Sequence, residues 1–286
     1  MSNIIIWCLG GLGNQMFQYA FYRRLQLDGK NVALDISGFN DYDLHYGFEL
    51  ERVFGLNINF ADIDEVNKIK QTVSSATIPQ KIWWKILNSK PIIHQKYFGY
   101  RYGYVNVQKP VYYEGYWQSE KYFRNSADII RKDFSFPVLD ERNEGYAKLI
   151  RSCNAVAVHV RMGDYVNHPI HGGICTLDYY QQAIDIIKSK IARPKFFVFS
   201  NDIEWCQSHL KLADAIYMTG NNDENSFRDM QLMSICKHNI IANSSFSWWG
   251  AWLNNNPDKT VIAPQKWFNN PKINTKDLIP SGWLKI

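Results

Sequence analysis

Residues 154–165 of the chain, Asn-Ala-Val-Ala-Val-His-Val-Arg-Met-Gly-Asp-Tyr, decide the fold. The first seven form a nearly unbroken apolar, β-branched run, which is typical of a strand buried on both faces of a parallel sheet. The run is followed closely by the polar side chains His159, Arg161 and Asp164. Ligands of open α/β sheets bind just beyond the carboxyl ends of such strands. The stretch alone therefore leaves two interpretations open, a site for an anion and an ordinary salt bridge at a strand end.

The segments that follow alternate between strand and helix patterns, with short connections between them. Strands are predicted at 195–200, 215–218, 239–242 and 260–263, and helices at 177–190, 202–210, 225–236 and 244–253. Repeated alternation of this kind predicts a doubly wound parallel sheet.

The beginning of the chain carries a similar unit, in which a glycine loop joins a strand to a helix. A strand is predicted at 4–9, a helix at 14–28 and a second strand at 31–36. The loop at 10–13 lacks the third glycine of a dinucleotide fingerprint, because Met16 occupies that place, so it is weak evidence for a nicotinamide cofactor. Its glycines indicate close approach of a ligand to the backbone, with Asn14 and Gln15 pointing donors at it from a helix N-terminus.

The middle of the chain gives weaker patterns. The best linker candidate is 134–143, which contains Pro137 and several charges, so we predict two Rossmann-like domains, 1–145 and 146–286. The segment 78–87 is short, basic and amphipathic, with two adjacent tryptophans. Such a segment can rest on a membrane surface. We expect instead the commoner arrangement, in which it packs its tryptophan face onto its own domain.

Composition excludes several classes of protein. The 286 residues are 46% hydrophobic and 21% charged, which predicts a packed globular core. The net charge of +5 is mild and the cations are scattered, which argues against nucleic acid as a partner. Five widely spaced cysteines without a C-x-x-C pair indicate reduced thiols in a cytoplasmic protein and no zinc site. We find no signal peptide or membrane-spanning segment in the sequence, and leave contact with the inner face of the membrane open.

Three predicted strands of the second half end in polar residues. Besides the first strand with Arg161, one ends at Ser200-Asn201-Asp202 and one at Asn243-Ser244-Ser245, directly before a helix. Serine or asparagine at that place is an ordinary helix cap, but a helix N-terminus with hydroxyls also binds phosphate. Arginine can bind a phosphate with two parallel hydrogen bonds, and Asp202 suits a ribose hydroxyl or the donor edge of guanine. We infer a nucleotide diphosphate site in the second half.

Four motifs, in order along the chain, resemble those of the α-1,2-fucosyltransferases of glycosyltransferase family 11. The first is Gly-Gly-Leu-Gly-Asn-Gln-Met-Phe-Gln-Tyr-Ala at 10–20, and the second is His-Val-Arg-Met-Gly-Asp-Tyr at 159–165. The third is Phe-Ser-Asn-Asp-Ile at 199–203, and the fourth is Asn-Ser-Ser-Phe-Ser-Trp-Trp-Gly-Ala-Trp-Leu at 243–253. Together they cover almost the whole chain.

The resemblance implies a GT-B fold, with the active site in a cleft between an acceptor-side N-terminal domain and a donor-side C-terminal domain. It implies inverting transfer of L-fucose from GDP-fucose to the 2-hydroxyl of a terminal galactose of a glycan, without a metal or another cofactor. The residues it implies for donor binding and catalysis are Gly11, Asn14, Gln15, His159, Arg161, Asp202, Asn243, Ser244, Ser245 and Phe246. His159 and Arg161 would bind the diphosphate. Asp164 would be either the general base or a partner that orients Arg161.

Two positions depart from the family pattern, and they keep other functions open. Met162 stands where the family has a second arginine, and Asn201 stands where it has an aspartate. The alternatives are a fucosyltransferase of other linkage, transfer from another GDP-sugar, and a sugar-nucleotide-binding protein with little catalysis. The Asp-x-Asp sequences at 41–43 and 62–64 indicate turn and helix-start acids rather than a metal site. The acceptor and the oligomeric state are not defined by the sequence.

Overall fold

The computed structural model describes residues 4–42, 44–87, 89–95, 98–162, 168–210 and 212–286. The chain forms two compact units. The first contains the residues up to Ser135 together with Asn274–Leu278, and the second contains Phe136–Ile273 and Ile279–Ile286.

The first unit is built on a four-stranded parallel sheet with the strand order β2-β1-β4-β3. Its strands are β1 (Ile4–Trp7), β2 (Val32–Asp35), β3 (Ile92–His94) and β4 (Val111–Glu114). Its helices are α1 (Leu12–Leu27), α2 (Leu50–Phe54), α3 (Ile63–Ser74), α4 (Ile78–Ile86), α5 (Tyr102–Val105) and α6 (Ala127–Asp133).

The second unit is built on a six-stranded parallel sheet with the strand order β10-β9-β8-β5-β6-β7. Its strands are β5 (Asn154–Val160), β6 (Pro194–Ser200), β7 (Ile216–Tyr217), β8 (His238–Ile240), β9 (Val261–Ala263) and β10 (Leu284–Lys285). Its helices are α7 (Glu141–Arg151), α8 (Leu177–Lys190), α9 (Ile203–His209), α10 (Phe227–Ile235) and α11 (Ser245–Leu253). The predicted α/β class with parallel sheets is confirmed.

Strand β5 is buried on both faces, as its composition predicts. Val156, Val158 and Val160 pack into one hydrophobic cluster with α8 and α9. Ala155 and Ala157 pack into another with α7 and α10. Side chains alternate between the faces of a strand, so the small alanines and larger valines each line one side. The strand thus lies at the centre of the sheet, with the neighbours β8 and β6.

Residues 136–143 of the predicted linker belong to the second unit, and the division of the chain falls before residue 136 rather than at 145. The side chains of Arg228 and Gln231 explain why. Arg228 Nη1 donates to the carbonyl of Val138 (2.8 Å), and Gln231 Nε2 donates to that of Pro137 (2.8 Å). These bonds fix the segment to α10, and α7 begins at Glu141, inside the stretch that the sequence pattern assigned to a linker.

Helix α4 differs from its expected packing. Its N-terminus is closed by a capping box of Thr77 and Gln80, which explains why a helix begins there. Trp84 is half-buried, but Trp83 is 59% exposed, so the tryptophan face does not pack onto the domain as expected. Over the described part of the chain, no helix combines the length and apolar character needed to cross a bilayer.

Candidate functional site

The carboxyl ends of three neighbouring strands bring the predicted donor-site residues of the second unit together. Strand β5 is hydrogen-bonded to β6 on one side and to β8 on the other, and all three are parallel. His159, Asp202 and Ser244 stand at or just beyond the ends of β5, β6 and β8 respectively. Because the carboxyl ends of parallel strands share one edge of the sheet, these residues lie along that edge.

His159 is buried near the end of β5, with 6% of its surface exposed. Its ring lies 5.9 Å from the ring of Phe246, between centroids, at the start of α11. Burial, aided by the positive charge of Arg161, lowers the pKa of His159 to about 3, so the imidazole is neutral near pH 7. Its Nδ1 atom is buried and finds no hydrogen-bond partner within the described ranges. A neutral imidazole donates from one ring nitrogen and accepts at the other, so the unpartnered Nδ1 is available for a hydrogen bond with a ligand.

Met162, which stands where the family has a second arginine, has an apolar packing role in this structure. Its side chain packs against the hydrophobic cluster of Val158 and Val160, continuing the alternation of β5 beyond the end of the strand. Its backbone N–H donates to Oδ1 of Asn201, at 2.9 Å. Both departures from the family pattern therefore have a structural role here, since Asn201 ties the end of β6 to the chain leaving β5. A methionine at this place fills an apolar surface.

Ser244 and Ser245 lie at the N-terminus of α11. Ser244 is the cap residue, and its side chain makes no capping hydrogen bond. The first N–H groups of a helix have no acceptor inside the helix, and the helix dipole favours an anion there. The hydroxyl of Ser244 and the helix N-terminus therefore form a set of donors at the same sheet edge as His159.

Two further predicted donor-site residues hold the fold at this edge. The Nδ2 of Asn243 donates to the carbonyls of His171 (3.1 Å) and Trp267 (3.2 Å), which ties two loops to the end of β8. Asp202 caps α9 by accepting a hydrogen bond from the N–H of Trp205 at 2.9 Å. Asn243 is 3% exposed, so its amide serves the loops around the site. Asp164, the predicted base or orienting carboxylate, lies outside the described residues.

The glycine loop of the first unit is shaped by close contacts. Gly10 has φ of 101°, a left-handed conformation that glycine adopts without strain. A Cβ atom at Gly11 would lie 3.2 Å from the ring of His45. The group that lies close to the backbone at Gly11 is therefore a side chain of the protein itself, where the sequence predicted a ligand. Asn14 accepts a hydrogen bond from Gln118 Nε2 at 2.8 Å. Gln118 is 6% exposed, and its Oε1 is buried without a partner in the described part of the chain.

Gln118 is a candidate that sequence reasoning missed. It follows β4 at the carboxyl end of the first sheet, beside Asn14, with an acceptor atom unused. A ligand hydroxyl would satisfy that atom. The only signal was its position at the end of the aromatic run 112–118, and this does not distinguish it from other glutamines.

Gln15 lies behind the glycine loop rather than on its surface. Its side chain is completely buried. Its Nε2 donates to the carbonyls of Gly10 and Gly47, each at 2.8 Å, and its Oε1 accepts from the N–H of Glu49 at 2.8 Å. The amide thus joins two loops, so in this structure Gln15 supports the loop instead of facing a ligand. Gln18, one turn later, likewise donates to the carbonyl of Gly115 at 3.0 Å.

A half-buried acid lies near the same edge of the second sheet. Asn221, which follows β7, donates to Asp229 Oδ1 at 2.8 Å and exchanges hydrogen bonds with Asn143. Burial raises the pKa of Asp229 to about 7, although the bond from Asn221 and the charge of Arg142 oppose the rise.

Asp229 is therefore expected to make stability depend on pH. Its folded-state pKa lies above the value of about 3.9 in an unfolded chain, so the folded protein binds the proton more tightly. Stability should fall as pH rises from about 4 through about 7, and Asp229→Asn should remove this fall and raise Tm by a few degrees above about pH 7. Thermal melts across this range test it, with exposed Asp185→Asn as control. Parallel curves for the wild type and Asp229→Asn would contradict it.

Comparison with known proteins gives consistent results. The family model "Glycosyl transferase family 11" matches residues 3–286. An α-1,2-colitosyltransferase of Escherichia coli is 36% identical, over 100% of this chain and 99% of the relative. The O-antigen biosynthesis glycosyltransferase WbnK of Escherichia coli is 32% identical, over 98% of this chain and 99% of the relative. The human galactoside α-(1,2)-fucosyltransferase 1 is 25% identical, over 85% of this chain and 63% of the relative.

Among solved structures, NodZ α-1,6-fucosyltransferase soaked with GDP-fucose is similar, with a TM-score of 0.51. Sequence identity is 15%, and the similarity covers 88% of this chain and 93% of that one. This similarity concerns the fold alone, and it confirms the predicted GT-B class with Rossmann-like α/β units.

Proposed function

The chain belongs to glycosyltransferase family 11, and from this membership we propose that it transfers L-fucose from GDP-fucose to the 2-hydroxyl of a terminal galactose. One observation carries the proposal. Two adjacent parallel strands, β5 and β8, bring a buried imidazole, an arginine and a helix N-terminus to one edge of the second sheet. These groups are donors and a cation, as a leaving nucleoside diphosphate requires.

Inverting transfer requires help for a leaving group whose negative charge grows in the transition state. In this proposal, Arg161 receives the charge that develops on the β-phosphate, together with the N-terminus of α11. His159 stays neutral because burial lowers its pKa, and in this proposal its one N–H group donates to a phosphate oxygen. The sugar carbon gains oxocarbenium character as the bond to GDP breaks.

The acceptor hydroxyl must lose a proton as it attacks. A neutral imidazole could accept one, but burial disfavours the charged form of His159 so strongly that we assign it to phosphate instead. Asp164 remains our proposed base, with orientation of Arg161 as the alternative role. We propose that the second unit binds the donor and the first unit the acceptor.

His159→Phe is expected to weaken GDP binding by roughly tenfold or more, because a hydrogen bond to a charged group contributes about 1.5–3 kcal/mol. Phenylalanine keeps the ring but removes both nitrogens. Calorimetric titration with GDP measures the effect. His209→Phe, an exposed histidine on α9, is the matched control. Equal affinities for wild type and His159→Phe would remove His159 from the proposed site.

Transfer is expected to proceed unchanged in EDTA. The charge on the leaving diphosphate is met in this proposal by Arg161 and a helix N-terminus. The Asp62 carboxylate of one Asp-x-Asp sequence caps α3 by accepting from the N–H groups of Asp64 and Glu65. Initial rates with EDTA, and then with added Mn²⁺ or Mg²⁺, check this. Activity lost in EDTA and restored by Mn²⁺ would establish a metal requirement.

A second candidate donor is a colitosyl nucleotide, because the chain is 36% identical to a colitosyltransferase over its whole length. Colitose lacks the 3-hydroxyl that fucose carries, so the two donors differ at one position. A site built to bond that hydroxyl would reject the deoxy sugar strongly, whereas one that does not would accept both. The relative kcat/KM for the two GDP-sugars decides between them.

The deciding experiment uses purified protein, GDP-fucose and a panel of galactose-terminated acceptors, with product linkage determined by NMR. A Fuc-α-1,2-Gal product supports the proposal. Another linkage would correct it. Calorimetric binding of GDP-fucose without transfer to any acceptor would favour a binding protein instead.

We propose that the protein works in a reducing compartment, the cytoplasm. All five cysteines are free thiols, three of them buried. Disulfides are rare where glutathione and thioredoxin keep thiols reduced.

A further inference from the structure

We propose that helix α4 attaches the protein to an anionic membrane surface. The helix displays an unusually apolar outer face for a surface element, and no side chain of the nine residues in α4 is buried. Ile78, Ile82 and Ile86 recur at intervals of four residues, and they are 75%, 53% and 66% exposed. Trp83 and Leu87 extend this face and are 59% and 55% exposed. We call these five residues the α4 face.

The α4 face has the geometry of an interfacial helix. Residues four apart lie on one side of a helix, so the three isoleucines form a single stripe with Trp83 and Leu87 beside it. Half-buried Trp84 lies on the other side, towards the domain. The capping box at Thr77 and Gln80 supports the helix independently of tertiary packing. A helix lying in the plane of a membrane buries just such a face among the acyl chains.

The charge of the stretch of sequence that contains α4 selects the kind of membrane. Between residues 66 and 113 the sequence contains no aspartate or glutamate and eight cations: Lys68, Lys70, Lys81, Lys85, Lys90, Lys96, Arg101 and Lys109. The whole chain carries only +5, so the rest of it is net negative. Lys109 Nζ donates to the carbonyl of Leu87 at 3.0 Å, which places this cation at the C-terminal end of the helix. A basic stretch of sequence without acids matches a surface rich in anionic headgroups.

Lysines beside an apolar face can bury their methylene chains while the ammonium group stays at the headgroups. Lys81 and Lys85 are exposed on α4 itself and lie on the side of the helix next to Ile78. The proposal concerns a surface of the first unit and does not depend on which sugar is transferred. A negative result here would leave the transferase proposal untouched, and the reverse also holds.

Vesicle flotation tests the proposal on the full chain. In a density gradient, the wild-type protein should float with vesicles of phosphatidylcholine and phosphatidylglycerol. It should not float with vesicles of phosphatidylcholine alone. Ile82→Gln/Trp83→Gln/Ile86→Gln keeps good helix formers on α4, and its affinity for anionic vesicles should fall by roughly tenfold or more. Lys81→Gln/Lys85→Gln should lose about fivefold per lysine, equivalent to about 1 kcal/mol each.

The matched control is Val138→Gln/Leu149→Gln, which changes two exposed apolar residues of the second unit and should bind as the wild type does. Each variant's Tm and its transfer to a free galactoside should stay unchanged, which separates lost attachment from lost folding. The proposal is overturned if the wild type does not bind anionic vesicles, or if the triple glutamine variant binds them as strongly as the wild type. A wild-type dimer that the triple variant dissociates, without vesicle binding, would instead make the α4 face a subunit interface.

Discussion

Arg161→Ala is expected to lower kcat for sugar transfer by roughly 10²–10³-fold. The guanidinium follows β5 at the sheet edge where His159 and the N-terminus of α11 also lie. If it meets the charge that grows on the departing phosphate, its contribution is larger in the transition state than in the ground state. The loss should therefore appear mainly in kcat and less in the affinity for GDP-fucose.

The measurement for Arg161 combines steady-state kinetics, GDP titration and a thermal melt of the same preparation. Arg161→Lys keeps the charge but not the two parallel hydrogen bonds, so an intermediate rate is expected. Arg151→Ala, on α7 and largely exposed, is the control for removing an arginine from this unit. A folded Arg161→Ala protein with near-normal kcat would refute the proposed mechanism.

Gln15→Ala is expected to destabilise the protein by about 3 kcal/mol or more. The substitution leaves two carbonyls and the N–H of Glu49 without their partner, and each unsatisfied buried group costs about 1–3 kcal/mol. It also leaves a cavity where the fully buried side chain lay. Because the amide joins the glycine loop to the segment 47–49, activity should fall together with Tm.

Chemical unfolding monitored by circular dichroism measures the Gln15 effect. Gln71→Ala removes an exposed glutamine from helix α3 of the same unit and should change stability by less than about 0.5 kcal/mol. Gln15→Glu is a sharper probe, since it keeps the size but replaces the donor amide with an acceptor. Unfolding of Gln15→Ala at the wild-type denaturant midpoint would mean that the three bonds contribute nothing net.

Local patterns predicted the second unit well. The apolar run before His159 and the periodicity of 177–190 are strong signals, and β5 and α8 lie at those places. Both depend on side chains that are buried on a regular face, which composition and spacing record directly. The three polar strand ends also lie at one sheet edge, because neighbouring parallel strands have their carboxyl ends on the same side of the sheet.

Contacts between distant segments were not predictable. Gln15 is bound by the chain at 47–49, which no local pattern connects to it. The segment 134–143 resembles a linker because of its proline and charges, yet Arg228 and Gln231 bind the carbonyls of Val138 and Pro137 from about 90 residues away. The outward orientation of the apolar face of α4 was likewise not predictable. An amphipathic pattern alone does not show whether the apolar side of a helix packs on the protein core or lies at the surface.

The position of one cysteine offers a practical route to single-molecule work. Cys153 directly precedes β5, whereas the candidate donor residues stand at the other end of that strand, about 20 Å away. Cys8, Cys206 and Cys236 are buried, and burial raises the pKa of Cys175 to about 12; burial also raises the pKa of Cys153, but its side chain is partly exposed. A fluorophore or a biotin linker coupled to Cys153 would therefore tether the molecule by the end of the sheet remote from the candidate donor residues. Turnover could then be observed on a glass surface without blocking donor entry.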